Sequence, residues 1–322
     1  MAATQGHRMV LASGRTHPEL AHAIAEELGT EIVPMDALTF ANGELYIRFG
    51  ESVRGADVFA IQTHAIPINR SIMEHLIMVD ALKRASAARI TVVTPTYGYA
   101  RQDKKHRGRE PISARLVADL FKTAGADRIM AVDLHTAQIQ GFFDGPVDHL
   151  WAMPLLAAYI RTRVAPDNLT IVSPDAGRVR LADQWSDHLG APLAIIHKRR
   201  DPSIPNEARV HELVGDVKGR TCVVVDDMID TGGTIAQAAE ALVENGAEAC
   251  IVAATHGLLS GSATEKLRDS SIKEVVVTDT LPIPDEKHWD GLTVLSIAPL
   301  IARAIQEVFD DGSVTSLFSG NC

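Results

Sequence analysis

The sequence predicts an α/β protein of two similar domains, each a mostly parallel sheet flanked by helices. Three observations carry that expectation. Short apolar runs alternate with amphipathic stretches along nearly the whole chain, the rhythm of successive strand–helix units. Several of the runs close on Gly, Pro, Ser or Asp, the residues that turn a strand toward a helix. The chain has 322 residues, long for one hydrophobic core, so two domains of about 150 residues each are expected.

Taken in order, Met9 to Gly14 is a first strand, and Pro18 opens a helix to Leu28 with Ala, Ile and Leu on one face. Ile32-Val33 resumes a strand, and Glu44 to Phe49 alternates as an exposed hairpin does. Asp57 to Thr63 is a strand, Asn69 to Ala85 a long amphipathic helix, and Arg89 to Thr94 a strand that Pro95 ends. A helix from Ser113 to Thr123 leads to strand Arg128–Asp133, after which Leu134 to Asp148 reads as loop. A second round follows: helix Ala152–Val164, strand Leu169–Val172, a helix to Leu189, and strand Leu193–His197 running into a proline-broken loop from Lys198 to Pro205. Strands Ala249–Ala253, Glu274–Thr278 and Val294–Ile297 come later, with helix Ser262–Leu267 among them and a last helix from Pro299 to Phe309. The domains are expected at residues 1–149 and 150–302, with 303–322 a helix and tail packing back on the first.

Composition narrows the function classes. A formal charge of −10 argues against nucleic acid as a partner. Cys222, Cys250 and Cys322 have no metal or disulfide spacing and fit a reducing compartment. No apolar run approaches the ~20 residues of a membrane span and no signal-peptide pattern opens the chain, so a cytoplasmic protein with no membrane partner is expected.

The most informative stretch is Val223 to Ile235. A β-branched apolar run carries Asp226 and Asp227, then Asp230, then the turn Thr231-Gly232-Gly233-Thr234, and an alanine-rich helical pattern runs from Ala236 to Val243. Strand-to-helix junctions of this kind hold ligands in open α/β sheets. Glycines admit a phosphate to the backbone, hydroxyls donate to it, and a helix N-terminus offers N–H groups. The acids cannot hold phosphate but suit hydroxyls or a metal. Together they point to a sugar phosphate. The competing reading is that Asp226 and Asp227 end a strand while Asp230 and Thr231 cap a helix.

Other segments also admit two readings. Tyr97 to Arg109 holds six basic side chains, His106 included, in thirteen residues; Arg101 and Gln102 can contact a nucleotide, or the run is solvated surface charge. His135, beside Asp133, and Asp175 in the other half can pair on a divalent cation, with Mg²⁺ the natural choice because it draws its other ligands from water and phosphate; alternatively His135 is an ordinary turn residue. Ser173-Pro-Asp-Ala-Gly177 is a pyrophosphate turn or a plain N-cap. Lys198-Arg199-Arg200 is a mobile surface loop, or it supplies positive charge to a reacting phosphate when shut. In Phe40-Ala-Asn-Gly-Glu44, Phe40 can stack on a base with Asn42 and Glu44 at its edge, or the segment is only a hairpin turn.

With these pieces in order, the chain resembles the class I ribose-phosphate pyrophosphokinases nearly end to end. The Asp226–Thr234 motif is shared with phosphoribosyltransferases and so implies a phosphoribosyltransferase-like fold. The specific matches are Phe40–Glu44, Arg101–Lys105 and the long signature Asp133–Asp148. The resemblance implies transfer of the pyrophosphoryl group of ATP to the 1-hydroxyl of ribose 5-phosphate, with Mg²⁺ as cofactor and a homohexamer as the assembly. It places ATP on Phe40, Asn42, Gly43, Glu44, Arg101 and Gln102, the metal on His135 and Asp175, and catalysis on Lys198 and Arg200. Ribose 5-phosphate falls to Arg200, Asp226, Asp227, Asp230, Thr231, Gly232, Gly233 and Thr234. Two departures stand out: Arg178 where many relatives carry a second glycine, and Asn42 where many carry Asp. A phosphoribosyltransferase would need neither the two α/β halves nor the Arg101 and Asp133–Asp148 segments, and a non-catalytic relative would be expected to lose loop or metal residues that are present here.

Overall fold

Residues 8–199 and 210–318 are described by a computed structural model. They fall into two α/β units, the first taking described residues 8–151, 280–282 and 296–318, the second the remainder. In the first, the elements are β1 (Met9–Ser13), α1 (Pro18–Leu28), β2 (Met35–Thr39), β3 (Leu45–Phe49), β4 (Asp57–Ile61), α2 (Ile68–Arg84), β5 (Arg89–Thr94), α3 (Ser113–Ala124), β6 (Arg128–Val132) and β7 (Val147–Leu150). Strands β1, β4, β5, β6 and β7 make a parallel sheet in that order, while β2 and β3 form a separate antiparallel hairpin.

Parallel strands covered on both faces are apolar throughout, and β4 is buried at every position. Its one charge, Asp57, is tolerated because Arg89 at the start of β5 pairs with it. Helix α2 buries Ile72, His75, Met78, Val79 and Leu82, the spacing of a single helical face. His75 meets a second buried histidine, His64, just beyond β4. Their facing ring nitrogens lie 3.3 Å apart, His75 Nε2 is 2.9 Å from the Ala60 carbonyl, and the Gly98 N–H donates to His64 Nδ1 at 2.9 Å. One arrangement satisfies all three contacts: both rings neutral, His75 donating to Ala60 and His64 donating to His75. The His64 ring stacks on Phe121 of α3 with centroids 5.7 Å apart.

In the second unit, α4 (Met153–Arg163), β8 (Leu169–Ser173), α5 (Val179–Leu189), β9 (Leu193–Arg199), β10 (Val210–Val214), β11 (Thr221–Ile229), α6 (Gly233–Glu244), β12 (Ala249–Gly257), α7 (Ala263–Arg268), β13 (Ile272–Thr278) and β14 (Leu292–Leu295) follow. The sheet order is β10-β9-β8-β11-β12-β13-β14, parallel except where β10 pairs with β9. Cys222 on β11 and Cys250 on β12 are register partners, buried and free. Burial pushes the Cys222 thiol up to about 12. Among the described residues, no helix is long and apolar enough to cross a membrane.

The α/β class and the two similar sheets agree with the sequence. Several details do not. Ile32 makes only a single parallel bridge to Leu11, since Pro34 stops a ladder from growing. The hairpin partner of β3 is β2, and β7 begins inside the stretch expected as loop; it is an edge strand without an apolar run to announce it. Residues 296–302, expected in the second domain, cluster with the first. The reason is α8 (Ala298–Phe309), one continuous helix that packs on α1, so a boundary at 302 would cut through it.

Burial holds His75 down to about 4, and His64 well below its ordinary 6.5. The unfolded chain takes up protons at these rings as pH falls through 6.5, whereas folded His75 does not until about 4. Their contribution is therefore complete above pH 6.5 and is lost as pH drops toward 4, on the order of 3 kcal/mol for His75. Urea unfolding from pH 7 to pH 4 should show this loss, and H75Q should reduce it by the His75 share; an unchanged slope in H75Q would exclude His75 as a source.

Candidate active site

β8 and β11 lie side by side, but the chain leaves them in opposite directions: β8 leads through α5 to β9 on one side, β11 through α6 to β12 on the other. Their pairing runs only from Leu169 opposite Thr221 to Val172 opposite Val224. Past that point the strands part, forming the topological switch where open α/β sheets receive ligands. β11 itself continues past both acids to Ile229, held by β12 with Asp226 opposite Ala254. Asp226 and Asp227 thus sit within the strand, at the stretch where its β8 partner has gone.

Arg178 enters from the β8 side. It ends the short 3₁₀ turn Ala176–Arg178 that follows Asp175. Its Nε is 2.8 Å from Asp226 Oδ1 and its Nη2 is 2.6 Å from Asp227 Oδ1, so one guanidinium spans both carboxylates. The Asp227 N–H also donates to Asp226 Oδ1 at 2.8 Å. All three side chains are largely withdrawn from water. Burial, and then the neighbouring Asp227, lift the Asp226 carboxyl well above the usual carboxylate range, and Arg178 opposes them. Asp175 is held by its own turn: its Oδ1 accepts the Gly177 N–H at 2.8 Å, and Ser173 Oγ donates to its carbonyl at 2.7 Å.

At the end of β11, Gly232 takes φ +71°, and a Cβ there would meet Leu267 Cγ at 3.2 Å. The positive φ favours glycine, and a side chain would also crowd Leu267. α6 begins at Gly233, earlier than the alanine pattern from Ala236 suggests, and its N-cap is Gly232, which has no side chain to cap with. Asp230 and Thr234 are half-buried and Thr231 is exposed. Lys198, expected to open a loop, belongs instead to β9, opposite His211 on β10. Arg200 lies outside the described residues.

In the first unit the basic segment follows β5. Arg101 and Gln102 are exposed. The Gln102 backbone is fixed at both ends, its N–H donating to Tyr99 and its carbonyl accepting from Ala114, and Ser113 Oγ donates to its side-chain oxygen at 2.7 Å. Asp103, buried in this otherwise basic run, accepts from Thr136 Oγ1 at 2.5 Å and Gln138 Nε2 at 2.8 Å. Those two residues belong to the loop that begins Leu134-His135, where the Leu134 N–H donates to His149 Nε2. His135 is half-buried. Phe40 to Glu44 form the tip of the β2–β3 hairpin, closed by the Phe40 and Gly43 N–H groups, with Asn42 Oδ1 accepting from the Glu44 N–H. Phe40 is 50% exposed, its ring edge-on to Tyr46 with centroids 6.3 Å apart.

The structure therefore brings Asp226, Asp227 and the Asp175 turn together through Arg178, and joins the Arg101-Gln102 segment to the His135 loop through Asp103. Among the described residues no group of three or more His, Cys, Asp or Glu side chains forms a ready metal cage. His135 and Asp175 are single donors on different units. Sequence reasoning missed the joining role of Asp103, although a lone acid inside a basic run was a signal. It noted Arg178 but not its partners, since strand adjacency between β8 and β11 cannot be read locally.

Comparison with known proteins agrees with this architecture. A family model described as the N-terminal domain of ribose phosphate pyrophosphokinase matches residues 9–125, and one described as a phosphoribosyl synthetase-associated domain matches residues 198–319. The chain is 67% identical over 311 residues to a ribose-phosphate pyrophosphokinase of Streptomyces coelicolor, covering 97% of this chain and 96% of that protein. It is 60% identical over 314 residues to the one from Mycobacterium tuberculosis, with the same shares of each chain covered. A crystal structure of phosphoribosylpyrophosphate synthetase from Mycobacterium smegmatis superposes with a TM-score of 0.90 at 58% identity, covering 95% of this chain and all of that one. By identity sustained along the whole chain, this protein belongs to the ribose-phosphate pyrophosphokinase family.

Proposed function

We propose that the chain transfers the intact pyrophosphoryl group of ATP to the 1-hydroxyl of ribose 5-phosphate, giving phosphoribosyl pyrophosphate and AMP for nucleotide biosynthesis. The observation that carries this is the end of β11, where two carboxylates on the strand are followed by a glycine turn that opens a helix, in a chain alike end to end with ribose-phosphate pyrophosphokinases. Asp226 and Asp227 are acceptors for ribose hydroxyls, and Asp230 to Thr234 surround the 5-phosphate with backbone N–H groups and hydroxyls. Arg101 and Gln102 take the ATP, with Phe40, Asn42, Gly43 and Glu44 at the adenine of a neighbouring copy in a homohexamer.

The resemblance assigns Mg²⁺ to His135 and Asp175; of these the Asp175 carboxylate, whose orientation the Gly177 N–H fixes, is the oxygen donor that Mg²⁺ takes, with water and phosphate oxygens supplying the rest. Bound there, the ion would neutralise charge on the transferred phosphates. In the reaction the sugar's O1 bonds to the β-phosphorus, its proton leaves, and the bond from the β-phosphorus to the α–β bridging oxygen breaks as AMP departs. Negative charge grows on the bridging and equatorial oxygens. Lys198 and Arg200 supply the positive charge, and the β11 turn holds the acceptor in line. Two buried free cysteines accord with a cytoplasmic, reducing setting.

An assay with ATP, Mg²⁺ and ribose 5-phosphate should release AMP; release of ADP would rule out pyrophosphoryl transfer. K198A should lower turnover by about a hundredfold or more with near-normal ATP affinity, the usual cost of one lost electrostatic donor. Turnover within about threefold of the parent would remove Lys198 from the chemistry. D226A should weaken ribose 5-phosphate more than ATP in binding titrations, and the reverse order would reassign the acids.

A further inference from the structure

We propose that Arg178 is a positioning residue for ribose 5-phosphate, which holds Asp226 and Asp227 as an oriented pair ready to accept the sugar's hydroxyls. This rests on the reading of those two acids as the hydroxyl-binding residues. Adjacent carboxylates drawn out of water repel each other, and left alone such a pair keeps a proton between its members. A carboxyl that keeps its proton has one acceptor fewer and an O–H to place, so it is the wrong partner for a hydroxyl that must donate. The guanidinium opposes that tendency and sets the orientation of both acids, because it stays charged and offers its donors in a fixed planar fork.

The geometry matches that task. Nε takes one carboxylate and Nη2 the other, both on Oδ1 and both within 2.8 Å. The Asp227 N–H adds a second donor to Asp226 Oδ1, so that oxygen is held from two sides. Arg178 is itself anchored where β8 gives way to α5, its N–H donating to the Asp175 carbonyl at 3.3 Å. It therefore reaches the acids only because β8 and β11 have stopped pairing two residues before Asp226. A fork at this place does what neither strand can do alone: it fixes the spacing of two acids on consecutive residues of a strand.

The test compares R178Q, which removes the charge, with R178K, which keeps charge but loses the fork. It also includes D226N and the R178Q/D226N double variant. Steady-state KM for ribose 5-phosphate and for ATP, turnover, and the thermal midpoint are read for each. R178Q should raise the ribose 5-phosphate KM roughly tenfold, the scale of one charge-assisted hydrogen bond, with the ATP KM moving less than about twofold. R178K should recover part of the loss. In the D226N background the further effect of R178Q should shrink to less than about threefold, because its partner is already changed. Three results overturn the role of Arg178 alone: an unchanged ribose 5-phosphate KM in both R178Q and R178K, an equal loss for ATP and ribose 5-phosphate, or a full-sized loss on top of D226N. An unchanged ribose 5-phosphate KM in D226N would instead defeat the assignment of the acids, and this proposal with it.

Discussion

Two strands that pair and then part set the conditions for the second unit's site. While β8 and β11 run together, the ladder takes their facing backbone groups and most of their side chains go into the core, as those of Val172 and Val224 do. Once the connections swing to opposite sides, each strand end becomes a turn with polar groups to spare. Asp175 and Arg178 come from the turn after β8, Asp226 and Asp227 from the unpaired edge of β11, and Asp230 to Thr234 from the turn that follows it. The sheet's winding decides where polarity is affordable, and the sequence then supplies the acids, the guanidinium and the glycines that such a place can hold.

The first unit shows what happens when the same kind of place is filled by the protein itself. There the reversal falls at β1, bridged by Ile32 on one side and paired with β4 on the other. Beyond β1, Arg15 forms an ion pair with buried Glu74 at 2.6 Å, and Gln62 joins both the Thr16 N–H and Glu74. A side chain on Gly14 would meet Gln62 at 2.3 Å. That opening is packed by its own polar network, and the Arg101-Gln102 segment and the His135 loop lie further along the sheet, after β5 and β6. The fold is repeated; the use of its natural crevice is not.

How much of this was written locally in the chain follows from the range of the forces involved. The strand–helix rhythm and the acids before the Thr-Gly-Gly-Thr turn are local patterns, and they were legible. The departures come from tertiary choices. β7 is a strand only because β6 offers it an edge, and Lys198 lies in a strand because β10, carrying His211, returns alongside it. Residues 296–302 join the first unit because α8 finds a surface on α1. Arg178 was visible as an oddity in a tight turn, but its partners lie far off in sequence and become neighbours only once β8 is placed next to β11.

Asp103 has a consequence for how such a chain can change over time. By taking hydrogen bonds from both Thr136 and Gln138, its carboxylate fastens the segment carrying Arg101 and Gln102 to the loop carrying His135. The two stretches are separated in sequence by a helix and a strand, yet a substitution in either is transmitted to the other through one buried acid. They are tied as a single heritable unit: neither can drift to a new shape while its counterpart keeps the old one.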